Sequence, residues 1–205
     1  DGIVDTASVT VEPVPEDVDW VAQSLEGLSP VVAGRFVVHG AHDRDRIPKG
    51  LIGLQIEANQ AFGTGHHPTT WGCLTALTRL LAVYRFDSVF DLGTGSGVLA
   101  IGIARATKRP VLASDIDPLA VEIALENAEI NGAANLVTAV TAAGFAHPAI
   151  VGRKFDLIVA NILADPLKML SPQFRAHALP GAAVVLSGIL RTQAESVLAA
   201  FRAQG

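Results

Sequence analysis

An acidic residue followed by three glycines at alternating positions stands near the middle of the chain. Asp91 follows a short apolar run, and the glycines after it are Gly93, Gly95 and Gly97. Residues 98–104 then show the apolar spacing of a helix. A strand, a glycine turn and a helix start in this order let the backbone turn tightly and approach a ligand where a Cβ would collide. The order predicts a nucleotide-binding turn.

Two classes of ligand fit this turn. Gly95 and Gly97, with an alanine three residues later, match the dinucleotide fingerprint, and Asp115 stands about 20 residues further on, where it can hold ribose hydroxyls. An acid two residues before the first of three alternating glycines is also typical of methyltransferases that use S-adenosylmethionine. Asp115 suits both ligands, because both present an adenosine. A packing turn without a ligand is the third interpretation.

Asn161 directly follows an apolar run that reads as a strand. In a doubly wound sheet this position lies at the carboxyl edge, beside the first strand and over the cofactor cleft. An amide oxygen there can accept a hydrogen bond from an amine and orient its lone pair. The alternative is that Asn161 caps the turn that follows.

Residues 61–70, AFGTGHHPTT, form no regular element. The adjacent His66 and His67 do not predict a zinc site, because neighbouring side chains diverge and no further ligand stands at a suitable spacing. No metal is therefore expected. We expect this loop to close over the cofactor, with Thr70 as a hydroxyl donor; an ordinary connection is the alternative.

Alternation of strands and helices after residue 88 predicts an α/β fold with a doubly wound, mostly parallel sheet. Its strands are expected at residues 89–92, 110–116, 136–139, 155–160 and 182–186, and its helices at 71–84, 98–108, 118–131, 166–177 and 192–203. Asp117 is expected to cap the helix that starts at Pro118.

The residues before this pattern predict a linker and a small hairpin, residues 1–57, ahead of a cofactor-binding catalytic domain, residues 58–205. A short strand is expected at residues 9–12 and a helix at 15–27. Strands at 35–39 and 51–57 are expected to pair as a hairpin outside the main domain, joined by an exposed charged turn at 42–50.

Composition narrows the class of protein. Half of the 205 residues are apolar and 17% are charged, which excludes intrinsic disorder. No apolar run reaches the roughly 18 to 20 residues that span a bilayer, and no secretory signal is recognisable, so no membrane association is expected. The net charge of −5 argues against direct nucleic-acid binding. The single cysteine, Cys73, is expected in a helix core and fits a reducing, cytoplasmic compartment. A monomer is expected.

Five segments together resemble the PrmA family, methyltransferases of large-subunit ribosomal protein eleven. They are AFGTGHHPTT (61–70), DLGTGSGVLAI (91–101), SDIDP (114–118), VANILADPL (159–167) and LSGILRTQAESV (186–197). The resemblance covers residue 35 to the end, with the preceding linker included. The glycine loop is common to class I methyltransferases, whereas the loop at 61–70 and the NIL turn are more specific.

The resemblance implies a Rossmann-like class I methyltransferase that binds S-adenosylmethionine, releases S-adenosylhomocysteine and methylates lysine side chains and the N-terminal amine of its ribosomal protein. The implied catalytic residue is Asn161, which would orient the amine and also contact the cofactor. The other implied cofactor residues are Phe62, Gly63, Thr64, Gly65 and His67 of the lid, and Thr70, Asp91, Gly93, Gly95, Asp115 and Ile116.

The sequence departs from this family at both ends. It does not begin with Met, and a separate N-terminal recognition domain is expected to be missing. The antiparallel closing strands are also expected to be missing, which would leave the strand at 182–186 as an unpaired edge. Two rival functions remain: an NAD-dependent oxidoreductase, for which no hydride-handling residue is found, and a catalytically inactive cofactor-binding module.

Overall fold

The structure, a computed structural model, describes residues 30–56 and 68–205. Within these ranges it contains two β-sheets and five α-helices. The strand expected at 9–12, the helix expected at 15–27 and the lid residues 61–67 lie outside the described residues.

The elements are numbered along the described chain. The strands are β1 (Val31–Ala33), β2 (Phe36–His39), β3 (Ile52–Gln55), β4 (Val89–Leu92), β5 (Val111–Asp115), β6 (Val137–Thr141), β7 (Phe155–Asn161) and β8 (Ala178–Ser187). The helices are α1 (Pro68–Val83), α2 (Val98–Thr107), α3 (Pro118–Ile130), α4 (Ala164–His177) and α5 (Ala194–Arg202). Among these, no helix is long and apolar enough to cross a membrane.

The main sheet confirms the predicted doubly wound architecture. Its five strands are parallel in the order β6-β5-β4-β7-β8. Helices α1, α2 and α3 pack on one face, and α4 and α5 pack on the other. Burial on both faces explains why β4 and β7 read as continuous apolar runs in the sequence. In the described part of the chain, β8 forms one edge of this sheet.

Side chains along each strand alternate between the two faces. In β4, Val89 enters the core beneath α1 and α2, and Phe90 enters the core beneath α4 and α5. Phe90 stacks there on Phe155, with ring centroids 4.9 Å apart. The alternation sends Asp91 to the same side as Val89, under α1 and α2.

The expected hairpin of residues 35–39 and 51–57 is wrong. Strands β2 and β3 run parallel, with Phe36 opposite Ile52. The antiparallel partner of β2 is β1, which the sequence analysis missed. Parallel strands need a crossover of about a dozen residues, and the segment between them supplies it through a 3₁₀ helix, Ala41–Arg46.

The charged segment expected as an exposed turn also carries a buried acid. Asp43 is almost fully buried, and its carboxylate accepts from Arg46 Nη1 at 3.0 Å and contacts His42 Nε2 at 3.0 Å. The segment is therefore not wholly a solvated turn: Asp43 is buried, while Arg46 and His42, which contact it, stay largely exposed.

The small sheet packs directly on the helices that carry the site. Phe36 and Leu54 belong to the same core as α1 and α2. Trp71 Nε1 donates to the carbonyl oxygen of Val32 at 3.0 Å. Asn131 donates to the carbonyl of Gln55 at 2.7 Å and accepts from its N–H at 2.9 Å, so its amide pairs with β3 as a neighbouring strand would. The domain boundary between residues 57 and 58 stays a prediction.

Replacing Gly34 with alanine tests this docking. Gly34 has φ +61°, and a Cβ there would overlap Thr78 Oγ1 and lie 2.7 Å from the Cβ of Thr78 on α1. Gly50 also has a positive φ, +88°, but nothing lies within 4 Å of its added Cβ. We expect Gly50→Ala to cost about 1 kcal/mol from backbone strain alone, and Gly34→Ala about 2–4 kcal/mol. Urea unfolding measures both, and equal losses would contradict the docking.

Candidate functional site

The glycine loop between β4 and α2 adopts backbone conformations that favour glycine. Gly93, Gly95 and Gly97 have φ of +70°, +54° and +80°. A Cβ on Gly93 would overlap Cγ2 of Ile162, and one on Gly97 would lie 3.0 Å from the Cβ of Ala124. Both conformation and close packing therefore require glycine at these two positions.

Asp91 lies under the loop and is fully buried. Its Oδ2 accepts from Thr94 Oγ1 at 2.8 Å and from the Ala100 N–H at 3.1 Å. Its Oδ1 is buried and has no hydrogen-bond partner among the described residues. A carboxylate oxygen in this situation suits a cationic or donor group of a ligand.

The environment of Asp91 weakens its acidity. Burial raises the pKa of Asp91 from 3.8 to about 6; the bonds from Thr94 and Ala100 lower it, and the negative charge of Asp115 raises it further. The carboxyl is therefore ionised at neutral pH while it carries a desolvation cost.

Asp115 ends β5 and holds the glycine loop in place. Its Oδ2 accepts from the Gly95 N–H at 2.8 Å, and its Oδ1 accepts from the Asp117 N–H at 3.1 Å. A carboxylate offers about four lone-pair sites, so each oxygen can still accept a ribose hydroxyl. Ile116, the next residue, is 73% exposed and presents an apolar surface that an adenine ring could cover.

Asn161 ends β7 and faces α1. Its Nδ2 lies 3.5 Å from Thr70 Oγ1, at the long end of hydrogen-bonding distance. Its Oδ1 is buried and has no hydrogen-bond partner among the described residues. Thr70 is fully buried in the first turn of α1. The unpaired acceptor is free for a donor such as an amine.

Ser187 and Cys73 lie beside Asn161 and Asp91. Ser187 lies opposite Asn161 in the register of β7 and β8, and its Oγ donates to the Thr69 carbonyl oxygen at 3.3 Å. Cys73 is buried as expected; burial raises its pKa to about 11, a hydrogen bond with Ser187 lowers it, and the Asp91 charge raises it. The signal for Ser187 was its place at the carboxyl end of the strand beside Asn161.

Strand parity explains why these polar groups converge. Asp91, Asp115, Asn161 and Ser187 each lie two residues beyond an apolar side chain that packs in or against the core beneath α1 and α2, so they point to that face. All four also stand at or near the carboxyl ends of parallel strands, which share one edge of the sheet.

The N–H groups of the loop distinguish the two candidate ligand classes. Gly93 and Thr94 donate to the Ser114 carbonyl oxygen, and Gly97 donates to that of Thr94. The N–H groups of Gly95 and Ala100 donate to Asp115 and Asp91. A pyrophosphate would need such donors at the start of α2, where a buried carboxylate already stands. The loop therefore fits a ligand without pyrophosphate.

Comparison with known proteins agrees with this geometry. The sequence profile described as "Ribosomal protein L11 methyltransferase (PrmA)" matches residues 2–205. The chain belongs to the ribosomal protein L11 methyltransferase (PrmA) family. The resemblance found in the sequence is thereby confirmed.

Three members of the PrmA family show the extent of the likeness. A "Ribosomal protein L11 methyltransferase" of Rhodopseudomonas palustris (strain BisB5) is 57% identical over 200 residues, 97% of this chain and 68% of that protein. One of Brucella suis (strain ATCC 23445 / NCTC 10510) is 52% identical over 206 residues, 100% of this chain and 72% of that protein. The crystal structure of a ribosomal protein L11 methylase from Lactobacillus delbrueckii subsp. bulgaricus matches with a TM-score of 0.76 at 31% identity, covering 86% of this chain and 89% of that one.

Not every site residue inferred from the PrmA resemblance falls within the described residues. Six of the predicted residues lie at one edge of the main sheet: Thr70, Asp91, Gly93, Gly95, Asp115 and Asn161. The exposed Ile116 projects from the same edge. Their roles stay predictions. Phe62, Gly63, Thr64, Gly65 and His67 lie outside the described residues. Within residues 30–56 and 68–205, no group of three or more His, Cys, Asp or Glu could hold a metal ion.

Asp91→Asn tests the cost of the buried carboxylate. Because the folded-state pKa of about 6 lies above the ordinary 3.8, the folded protein binds more protons between these values, and its free energy of unfolding falls as pH rises through them. Without ligand, we expect the stability of Asp91→Asn relative to the natural chain to grow by up to about 3 kcal/mol between pH 4 and pH 8. Urea unfolding across this range measures it, and parallel pH curves would contradict it.

Proposed function

We propose that this chain binds S-adenosylmethionine and transfers its methyl group to amines of ribosomal protein L11, at lysine side chains and at the N-terminal amine. The observation that carries the proposal is the pair of buried, unpaired acceptors, Asp91 Oδ1 and Asn161 Oδ1. They lie beside a glycine loop in which four N–H groups are already bonded, those of Gly93, Thr94, Gly95 and Gly97. Membership of the PrmA family supports both the reaction and the substrate.

Each residue has a separate task in this proposal. Asp91 Oδ1 accepts from the ammonium group of the cofactor's amino-acid part, and Asp115 accepts from the ribose hydroxyls. Ile116 covers the adenine. As the PrmA resemblance implies, the cofactor lid would consist of Phe62, Gly63, Thr64, Gly65 and His67, with Thr70 as a hydroxyl donor beside it. Exclusion of water by such a lid would align the reactants and strengthen the polar contacts inside.

When bound, the sulfonium cofactor supplies an activated methyl group: the amine lone pair forms the N–C bond as the C–S bond electrons pass to sulfur, giving S-adenosylhomocysteine. Asn161 Oδ1 accepts from an N–H of the amine and thereby points its lone pair at the methyl carbon. The amine must be neutral, but a free lysine has a pKa of about 10.4. The ammonium form gives its proton to solvent before the amine binds. Desolvation in the cleft then favours the neutral form.

We also propose that the protein acts as a monomer in the cytoplasm and recognises the ribosomal protein without direct nucleic-acid contacts. The single cysteine and the net charge of −5 support this setting. The proposed catalytic unit is residues 58–205, preceded by the linker and small sheet.

Mass spectrometry of ribosomal protein L11 tests the function directly. Incubation of the full-length protein, S-adenosylmethionine and purified L11 should add mass in steps of one methylene, and heat-inactivated enzyme should add none. Calorimetry should show that the protein binds S-adenosylhomocysteine and does not bind NADH. Binding of NADH in place of S-adenosylhomocysteine would support an oxidoreductase. Cofactor binding without any mass shift would support an inactive binding module.

Asn161→Ala tests the orienting role. Losing the hydrogen bond to the amine should lower kcat about 10- to 100-fold, because the amine gains positive charge in the transition state and a hydrogen bond to a charged group contributes about 1.5–3 kcal/mol. Because Asn161 is also implied to contact the cofactor, calorimetry with S-adenosylhomocysteine measures any loss of cofactor affinity separately, and kcat is measured at saturating S-adenosylmethionine. Asn135→Ala, an exposed asparagine before β6, is the control and should leave both values unchanged. Normal methyl transfer by Asn161→Ala would contradict the role.

A further inference from the structure

Two strongly exposed leucines stand at the carboxyl edge of the main sheet. Leu163 is 72% exposed and Leu190 is 67% exposed. Leu163 follows β7 by two residues, and Leu190 follows β8 by three. Neither is used by the cofactor contacts proposed above.

Both leucines occupy positions where the local structure favours a different residue. Leu163 is the N-cap of α4, and Leu190 is the N-cap of the 3₁₀ helix Arg191–Gln193. A leucine side chain cannot accept the hydrogen bonds that Ser, Thr, Asp or Asn accept at an N-cap. An exposed leucine at an N-cap thus serves neither the helix nor the core, and two of them on neighbouring loops point to a contact with something else.

The two loops that carry them are packed against each other. Asn161 and Ser187 are opposite in the register of β7 and β8. Gly188, with φ +81°, lies so close to the next loop that an added Cβ would be 2.5 Å from the Ile162 carbonyl oxygen. The loops that carry the two leucines therefore lie side by side, next to the strand ends at Asn161 and Ser187.

Strand order separates this surface from the nucleoside end of the cofactor. Asp91, Asp115 and the glycine loop stand on β4 and β5, and Asn161 stands on β7. Because the order is β5-β4-β7-β8, Leu190, which follows β8, lies on the far side of Asn161 from Asp115, and Leu163 follows the strand that carries Asn161. A group that reaches Asn161 from this side is the methyl acceptor and not the adenosine.

We propose that Leu163 and Leu190 form an acceptor rim that contacts the hydrocarbon stem of the lysine side chain presented to Asn161. This inference rests on the proposed function. A lysine stem of four methylenes packs well on apolar side chains while its amine continues into the cleft. Water displaced from around the amine also favours its neutral, nucleophilic form. The rim thus contributes to the binding of lysine acceptors and not to that of the N-terminal amine.

The test compares Leu163→Asn, Leu190→Asn and a control in the full-length protein. Met169→Asn is the control, because Met169 is 78% exposed on the solvent side of α4. For each variant we would measure KM and kcat for ribosomal protein L11 at saturating S-adenosylmethionine, Kd for S-adenosylhomocysteine by calorimetry, and urea unfolding. Leu163→Met, which keeps an apolar side chain of similar volume, serves as the rescue variant.

We expect Leu163→Asn and Leu190→Asn each to raise KM about 5- to 20-fold, in line with the loss of one apolar contact. Kd for S-adenosylhomocysteine should stay within about twofold, and urea stability should hold or rise, because Asn is a better N-cap. Met169→Asn and Leu163→Met should keep the natural KM. This split between KM and cofactor Kd is what a merely structural role would not produce.

Three results would overturn the rim. These are an unchanged KM in both leucine variants, a cofactor Kd that rises in step with KM, and a natural dimer that the variants dissociate, since a second copy would then cover the leucines. Failure of the proposed function is a separate result: the natural protein would then leave L11 unmethylated. If the natural protein methylates L11 and both leucine-to-asparagine variants keep its KM, only the rim proposal is wrong and the proposed function stands.

Discussion

The buried carboxylate of Asp91 is the interaction on which the site depends. One oxygen receives the Thr94 hydroxyl and the Ala100 N–H, so the acid ties the glycine loop to the start of α2. Its negative charge lies next to the start of α2, the end of the helix to which a dinucleotide fold binds an anionic pyrophosphate. Its second oxygen is left unpaired within the described residues. The Asp91 side chain thus fixes the glycine loop, disfavours a dinucleotide with its pyrophosphate, and offers a hydrogen-bond acceptor to S-adenosylmethionine.

Elsewhere in the site, close packing of the backbone also fixes the position of a polar side chain. Ile162 packs against Gly93 on one side and Gly188 on the other, both with positive φ. The NIL turn is therefore held between the loops that follow β4 and β8. This packing fixes the backbone next to Asn161, so that its amide is directed by the sheet and not by a flexible loop.

Several features lower stability and are consistent with function. Asp91 carries a desolvation cost, Asn161 keeps a buried acceptor unpaired, and leucines stand at two N-caps. Each departs from what local packing or helix capping favours. Their concentration at one edge of the main sheet marks that edge as the working surface, since folded proteins violate local rules mainly where they bind or react.

The sequence by itself determined the parallel sheet, the glycine loop, the cap at Asp117 and the family, because apolar runs, glycines and caps are local signals. It also placed Asp115 and Asn161 at strand ends. Only the tertiary structure decided that β2 and β3 are parallel, that Ser187 lies beside Asn161, and that four N–H groups of the glycine loop are already bonded. These depend on strand order and on which face each helix covers, and both are set by contacts between residues far apart in the chain.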